Sequence, residues 1–112
     1  MATPKGRRRM RIRVPKTAKR GEVINIKAMI QHPMITGLRP EEFRTGIERH
    51  IINRIQVIYG GKVVFDGDLG TGISADPYFS LYLRAEKSGP VEFRWFDDDG
   101  SIYRKSALLS VN

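Results

Sequence analysis

Val91-Glu92-Phe93-Arg94-Trp95-Phe96, followed by Asp97-Asp98-Asp99-Gly100 and Ser101-Ile102-Tyr103-Arg104, decides the fold of this 112-residue chain. Val91, Phe93 and Trp95 fall at every second position with Glu92 and Arg94 between them, the period of a strand with one buried face. Asp98-Asp99-Gly100 has the chemistry of a hairpin turn. Glycine accepts positive φ without steric cost, and aspartate bonds its own backbone there. A second run, ending in Leu108, Leu109 and Val111, then returns antiparallel. Trp95, the only tryptophan, is expected to be the hub of an all-β core.

The same alternation extends outward from this hairpin. Arg11 to Val14 reads as a short edge strand stopped by Pro15. Glu22 to Gln31 is a clear strand with Ile24, Ile26, Ala28 and Ile30 on one face and Asn25, Lys27 and Gln31 on the other; Met29 interrupts the polar face. His32-Pro33-Met34-Ile35-Thr36-Gly37 ends it, because Pro33 withdraws a backbone donor and extends His32. Leu38 to His50 is the longest irregular connection, with Pro40 placed to start one helical turn and with Phe43 and Ile47 expected to fold back onto the body. Ile51 to Tyr59 carries apolar residues on both faces, which predicts a central strand or a face used by a partner. Gly60-Gly61 turns it into Val63-Val64-Phe65. Phe79, Leu81, Leu83 and Ala85 then alternate with Tyr78, Ser80, Tyr82 and Arg84. About seven short strands at close spacing predict an immunoglobulin-like antiparallel β-sandwich. Residues 10–112 form one such domain, preceded by a basic, solvated arm over residues 1–9.

Charge is unevenly distributed. The chain carries a net +8, yet its first twenty residues hold nine Lys or Arg and no acid, leaving 11 basic against 12 acidic residues in the rest. Basicity thus reads as a property of the tail on a nearly neutral body. Cysteine is absent, which removes thiol chemistry and disulfides. No apolar run approaches the ~20 residues of a membrane span, and no signal-peptide core follows the N-terminal arginines.

A search for catalytic or ligand-binding chemistry finds little. His32 and His50 are the only histidines, and two imidazoles fall short of the four ligands of a structural zinc. They are expected to be structural or exposed. Counted from Asp97 as a calcium loop, the twelfth position is Leu108 and the sixth Ile102, where a bidentate Glu and a Gly are required. No phosphate-cradling loop or serine elbow is present in the sequence. The expectation is therefore no enzyme, no metal and no cofactor. The alternative with physical content is a small nucleic-acid-binding β domain led by the basic arm, although Tyr59, Tyr78, Tyr82 and Tyr103 form no stacking pattern.

Four ordered stretches carry a resemblance. They are Val14-Pro15-Lys16-Thr17-Ala18 with Arg20-Gly21-Glu22; Ile30-Gln31-His32-Pro33-Met34 with Thr36-Gly37; Ile73-Ser74-Ala75-Asp76-Pro77-Tyr78; and Trp95-Phe96-Asp97-Asp98-Asp99-Gly100-Ser101. Together they resemble the SoxZ family, the non-catalytic half of the SoxYZ sulfur-carrier complex of thiosulfate oxidation. Asp76 stands where that family more often has Asn. The resemblance implies an immunoglobulin-like sandwich that pairs with a SoxY-like protein, whose C-terminal Gly-Gly-Cys-Gly-Gly arm bears the sulfur intermediate and offers it to the other Sox enzymes. Lacking cysteine, this chain would pair noncovalently. It would reach the periplasm as a folded complex on the signal of its partner. Such pairing needs a complementary patch of roughly 800 Å² per partner with aromatic and Met anchors. The apolar residues expected to face away from the core, and so to form it, are Met29, Ile58, Tyr82 and Phe96, with Met34 in the loop after the long strand.

Overall fold

The computed structural model describes residues 8–112. Its strands are β1 (Met10–Arg13), β2 (Thr17–Ala18), β3 (Val23–Ile30), β4 (Ile52–Tyr59), β5 (Lys62–Asp68), β6 (Tyr78–Arg84), β7 (Gly89–Asp97) and β8 (Ile102–Val111), with one short helix, α1 (Pro40–Thr45). They form two sheets, one of three strands in the order β1-β3-β6 and one of five in the order β2-β8-β7-β4-β5. All pairings are antiparallel except β2 with β8. This is the immunoglobulin-like sandwich that the strand spacing predicts.

The alternation sorts the residues cleanly. Ile24, Ile26, Ala28 and Ile30 of β3 and Leu83 of β6 are buried, as are Val91, Phe93 and Trp95 of β7 on the facing sheet. Phe93 registers with Val57 on one side, and Trp95 with Ile55 on one side and Tyr103 on the other. Burial of side chains this large contributes about 1.5–3 kcal/mol each, and Trp95 and Phe93 are the largest fully buried side chains. The β7–β8 turn closes as expected at Gly100, whose φ is 88°.

Three expectations are corrected. β2 escaped the sequence reading because two residues are too few to display a period; Pro15 lets the chain leave the small sheet and run parallel to the end of β8. β4 does not carry apolar residues evenly on both faces. A register shift between Ile52 and Arg54 turns Ile52 inward with Ile55 and Val57, leaving Ile58 outside. The connection after β3 contains the expected helical turn, but Phe43 and Ile47 do not fold back onto the body: they are 76% and 47% exposed. Polar contacts hold that segment instead, so its apolar side chains are left in water.

Candidate partner interface

Three of the four stretches singled out above meet at one end of the sandwich. The backbone N–H of His32 donates to Asp76 Oδ1 at 2.9 Å, and the Asp76 N–H returns a bond to the His32 carbonyl at 2.7 Å. Asp76 adopts a left-handed φ of 52°. Aspartate and asparagine both tolerate that conformation and both offer the same acceptor oxygen, so either residue serves this turn. Asp97, at the end of β7, is buried, and its Oδ2 lies 2.8 Å from His32 Nε2. Asp98 fastens the long loop to the hairpin. Its carboxylate accepts from both Arg49 guanidinium donors, from the Asn53 amide and from the Ile51 N–H, all at 2.9–3.0 Å. Burial opposes its ionisation, but these donors outweigh it and hold the Asp98 carboxyl below the usual range. Gly37 completes the clasp: a Cβ there would sit 3.0 Å from the Ile47 carbonyl.

The two histidines, expected to be structural or exposed, come together in space although both lie between the named strands. Their rings meet edge to face at 5.2 Å, and His32, His50 and Asp97 bring three potential ligand atoms within 4.8 Å of one another. The chemistry of this cluster follows from the His32 tautomer. The Met34 backbone N–H can only donate, and it points at His32 Nδ1 from 2.9 Å. Nδ1 is therefore the acceptor, and Nε2 carries the proton that Asp97 receives. Both His32 nitrogens are committed, which leaves His50 and Asp97 as the remaining donors, too few to enclose a structural metal. His50 Nε2 lies 2.7 Å from Asp97 Oδ1, yet it lacks the angle of a hydrogen bond. The short separation makes it an electrostatic neighbour of the carboxylate. Arg8 adds a guanidinium 3.9 Å from Asp97 and over the Tyr103 ring. Burial pushes the His32 imidazole below its ordinary pKa, against the pull of its bond to Asp97. The cluster is a buried polar tie between β7, the β3 end and the first described residues; Met1 to Arg7 of the expected arm lie outside the described residues.

Met34 is a correction. It was expected at the surface as a partner anchor, but it is fully buried. A φ of 51° directs it inward, and its sulfur accepts the Ile52 N–H at 3.2 Å, capping the start of β4. The other four expected anchors divide between opposite faces. Met29 and Tyr82 lie on the outer face of the three-stranded sheet, where Met29 registers between Arg11 and Tyr78, and Asn25 with Tyr82. Ile58 and Phe96 lie on the outer face of the five-stranded sheet, where Phe96 registers between Arg54 and Ile102, and Ile58 between Val63 and Glu92. No single flat patch holds all four.

The two faces differ in charge. On the large sheet, Arg54 is paired with Asp66 and Arg94 with Glu92, and Arg54 lies over the Phe96 ring at 5.3 Å. The hydrogen bonds from Arg54 and Gln56 hold Asp66 down at about 2. On the small sheet, the outward positions are Arg11, Arg13, Val23, Asn25, Lys27, Met29, Tyr78, Ser80, Tyr82 and Arg84. Four are cationic and none is acidic. Basicity is thus not a property of the tail alone, because Arg11 and Arg13 are folded into β1 and join Lys27 and Arg84 on the body. Sequence reading also missed Leu38, which with Phe43 and Ile47 forms an exposed apolar tip on the long loop. Only Phe43 lies on the six-residue helix, and its four-residue spacing to Ile47 imitates a core-facing pair, so nothing in the pattern announced the tip.

Fold and surface together define an immunoglobulin-like domain that offers two flat faces and a clasped loop. The sequence matches the family model "Sulphur oxidation protein SoxZ" over residues 11–107, and the chain belongs to that family. No curated protein matches the sequence. Among solved structures it is similar to the sulfur carrier protein SoxY from Chlorobium limicola f thiosulfatophilum, with 18% identity and a TM-score of 0.62, covering 92% of this chain and 78% of that one. It is also similar to a variant of the superoxide reductase (neelaredoxin) from Ignicoccus hospitalis, with 14% identity and a TM-score of 0.73 over 96% and 82% of the two chains. The reduced neelaredoxin from Archaeoglobus fulgidus gives 18% identity and a TM-score of 0.59 over 92% and 88%. At these identities the likeness is one of fold.

Proposed function

We propose that this chain is a non-catalytic binding subunit that pairs noncovalently with a SoxY-like sulfur carrier in thiosulfate oxidation, through the outer face of its five-stranded sheet. The carrier bears the sulfur intermediate on the cysteine of its C-terminal Gly-Gly-Cys-Gly-Gly arm, and the pair, in the periplasm, presents it to the other Sox enzymes. With no cysteine in its sequence, this subunit contributes shape and surface to the pair.

The observation that carries this choice of face is its internal charge matching. Ile58, Val63, Phe96, Ile102 and Leu108 supply apolar surface between strands on which Arg54 is matched by Asp66 and Arg94 by Glu92, with Arg104 opposite Arg94 the exposed cation left over. Burying such a face leaves few ions for the partner to match, Arg104 first among them, which suits a stable, largely dry interface. The test is co-purification of the two subunits in high salt, with Phe96→Asp and Ile58→Asp beside Tyr82→Asp. Loss of pairing in the first two and retention in the third supports this face; the opposite pattern overturns it.

A further inference from the structure

The outer face of the three-stranded sheet has a different design. Arg11 stands beside Met29 and Tyr78 in one row, Arg13 beside Lys27 and Ser80 in the next, and Val23 beside Arg84 further along. Among the described residues, none of these four cations takes part in an ion pair, and no carboxylate shares their face. Between them stand Tyr78 and Tyr82, 62% and 72% exposed. The short β1 covers β3 only from Lys27 to Ile30, and where it lies a groove of about 460 Å³ runs past Arg11, Arg13, Lys27, Met29 and Tyr78.

We infer that this face is a second docking surface, for a carboxylate-rich protein surface bound in a short-lived, salt-sensitive complex, separate from the face that pairs with the carrier. Charge complementarity selects the occupant. A second copy of this chain would set four cations against four cations, which is repulsive. A nucleic acid would match the charge but not the rings. Tyr78 and Tyr82 are four residues apart on one strand, about 13 Å, too far for neighbouring bases to stack on both. Arg, Tyr and Met interleaved on a flat face are the side chains that anchor protein partners. Unpaired cations facing water raise the association rate with an acidic partner and release it readily.

The experiment uses the full chain and two labelled probes of equal charge, a poly-L-glutamate peptide and a single-stranded oligonucleotide, followed by anisotropy at low salt. The Arg13→Glu, Lys27→Glu double variant is expected to weaken the peptide about tenfold or more. A double variant with the same change in net charge off this face, Lys62→Glu with Arg104→Glu, is expected to stay within about twofold. Tyr82→Ala should weaken it about threefold. Equal weakening by both double variants would reduce the effect to net charge and overturn the proposal. Tighter binding of the oligonucleotide through Arg13 and Lys27 would make the face a nucleic-acid surface and overturn it equally. Pairing with the SoxY-like carrier is measured on the same proteins. The Arg13→Glu, Lys27→Glu variant should pair as the wild type does, and loss of pairing with unchanged thermal unfolding would merge the two surfaces into one. The peptide result does not depend on whether the carrier binds, so failure of one reading leaves the other distinguishable.

Discussion

The two outer faces of the sandwich are built by the same strand alternation, yet they treat charge in opposite ways. On the large sheet the cations at Arg54 and Arg94 are neutralised by neighbours on the same face before any partner arrives. On the small sheet Arg11, Arg13 and Lys27 look into water with no acid beside them. Desolvating a matched pair costs far less than desolvating a lone ion. The first face is therefore suited to permanent burial, the second to contacts that form quickly and break. Apolar content alone does not separate them, since each shows exposed aromatic or aliphatic side chains. The difference lies in which charges are satisfied within the fold.

That contrast depends on a scaffold that keeps the faces back to back, and the scaffold is where the largest effect is expected. Asp97→Ala leaves the His32 Nε2–H buried without an acceptor, strips Arg8 of its carboxylate neighbour and leaves His50 with only the more distant Asp99. The loss should be about 3 kcal/mol or more in urea unfolding. Asp97→Asn should lose less, because the amide oxygen still accepts from His32. A change under about 1 kcal/mol for the alanine variant would mean that the polar tie does not hold the pole. The next effect distinguishes the faces. Phe96→Asp should weaken pairing with the carrier by about 2 kcal/mol, roughly thirtyfold in Kd, while Tyr82→Asp changes it by less than about 0.5 kcal/mol. Titration calorimetry reads both, and a reversed order would exchange the roles of the two faces.

Most of this frame was legible in the sequence, for a physical reason. Alternation reports burial directly, so β3, β6 and β7 and their inward residues could be read one by one. What alternation does not report is contact between distant segments. His32 and Asp97 are 65 residues apart, and nothing local in His-Pro-Met indicates that Met34 turns inward to cap β4. The bulge in β4 was equally silent, because one unpaired residue shifts every later side chain without altering composition. The basic face was hidden by bookkeeping along the chain: Arg11 and Arg13 count with the tail in sequence but with Lys27 and Arg84 in space. Family resemblance reached further, since its stretches are the ones that assemble the buried pole.

A pH experiment sharpens the separation between scaffold and faces. The folded chain holds His32 below its ordinary pKa, so the unfolded chain takes up a proton that the folded chain declines. Stability is then full above the ordinary histidine value of about 6.5 and falls as pH drops below it, levelling off once the folded group also titrates. Neither outer face carries a histidine, so Tm should fall between about pH 7.5 and pH 5.5 while poly-L-glutamate affinity holds. His32→Gln should flatten the part of the slope that His32 supplies. An unchanged slope would show that His32 does not supply it. Asp98 acts in a lower window: its depressed carboxyl contributes stability above the ordinary carboxylate range, lost as pH falls through its folded value.

The smallest expected effect tests whether two faces are enough to describe this surface. Phe43 stands 76% exposed on α1 beside the exposed Leu38 and Ile47, on a loop clasped by Asp98 and by Gly37. Phe43→Ser removes apolar area already in water, so unfolding free energy should stay within about 0.5 kcal/mol of the wild type. If the large sheet is the centre of pairing, the loop tip lies at its rim or beyond it, and the same variant should weaken carrier binding by less than about 1 kcal/mol. A larger loss than that of Phe96→Asp would move the anchor from a sheet face to the loop. The polar clasp would then have a second use, holding three apolar side chains rigid in water so that a partner binds them without first ordering them.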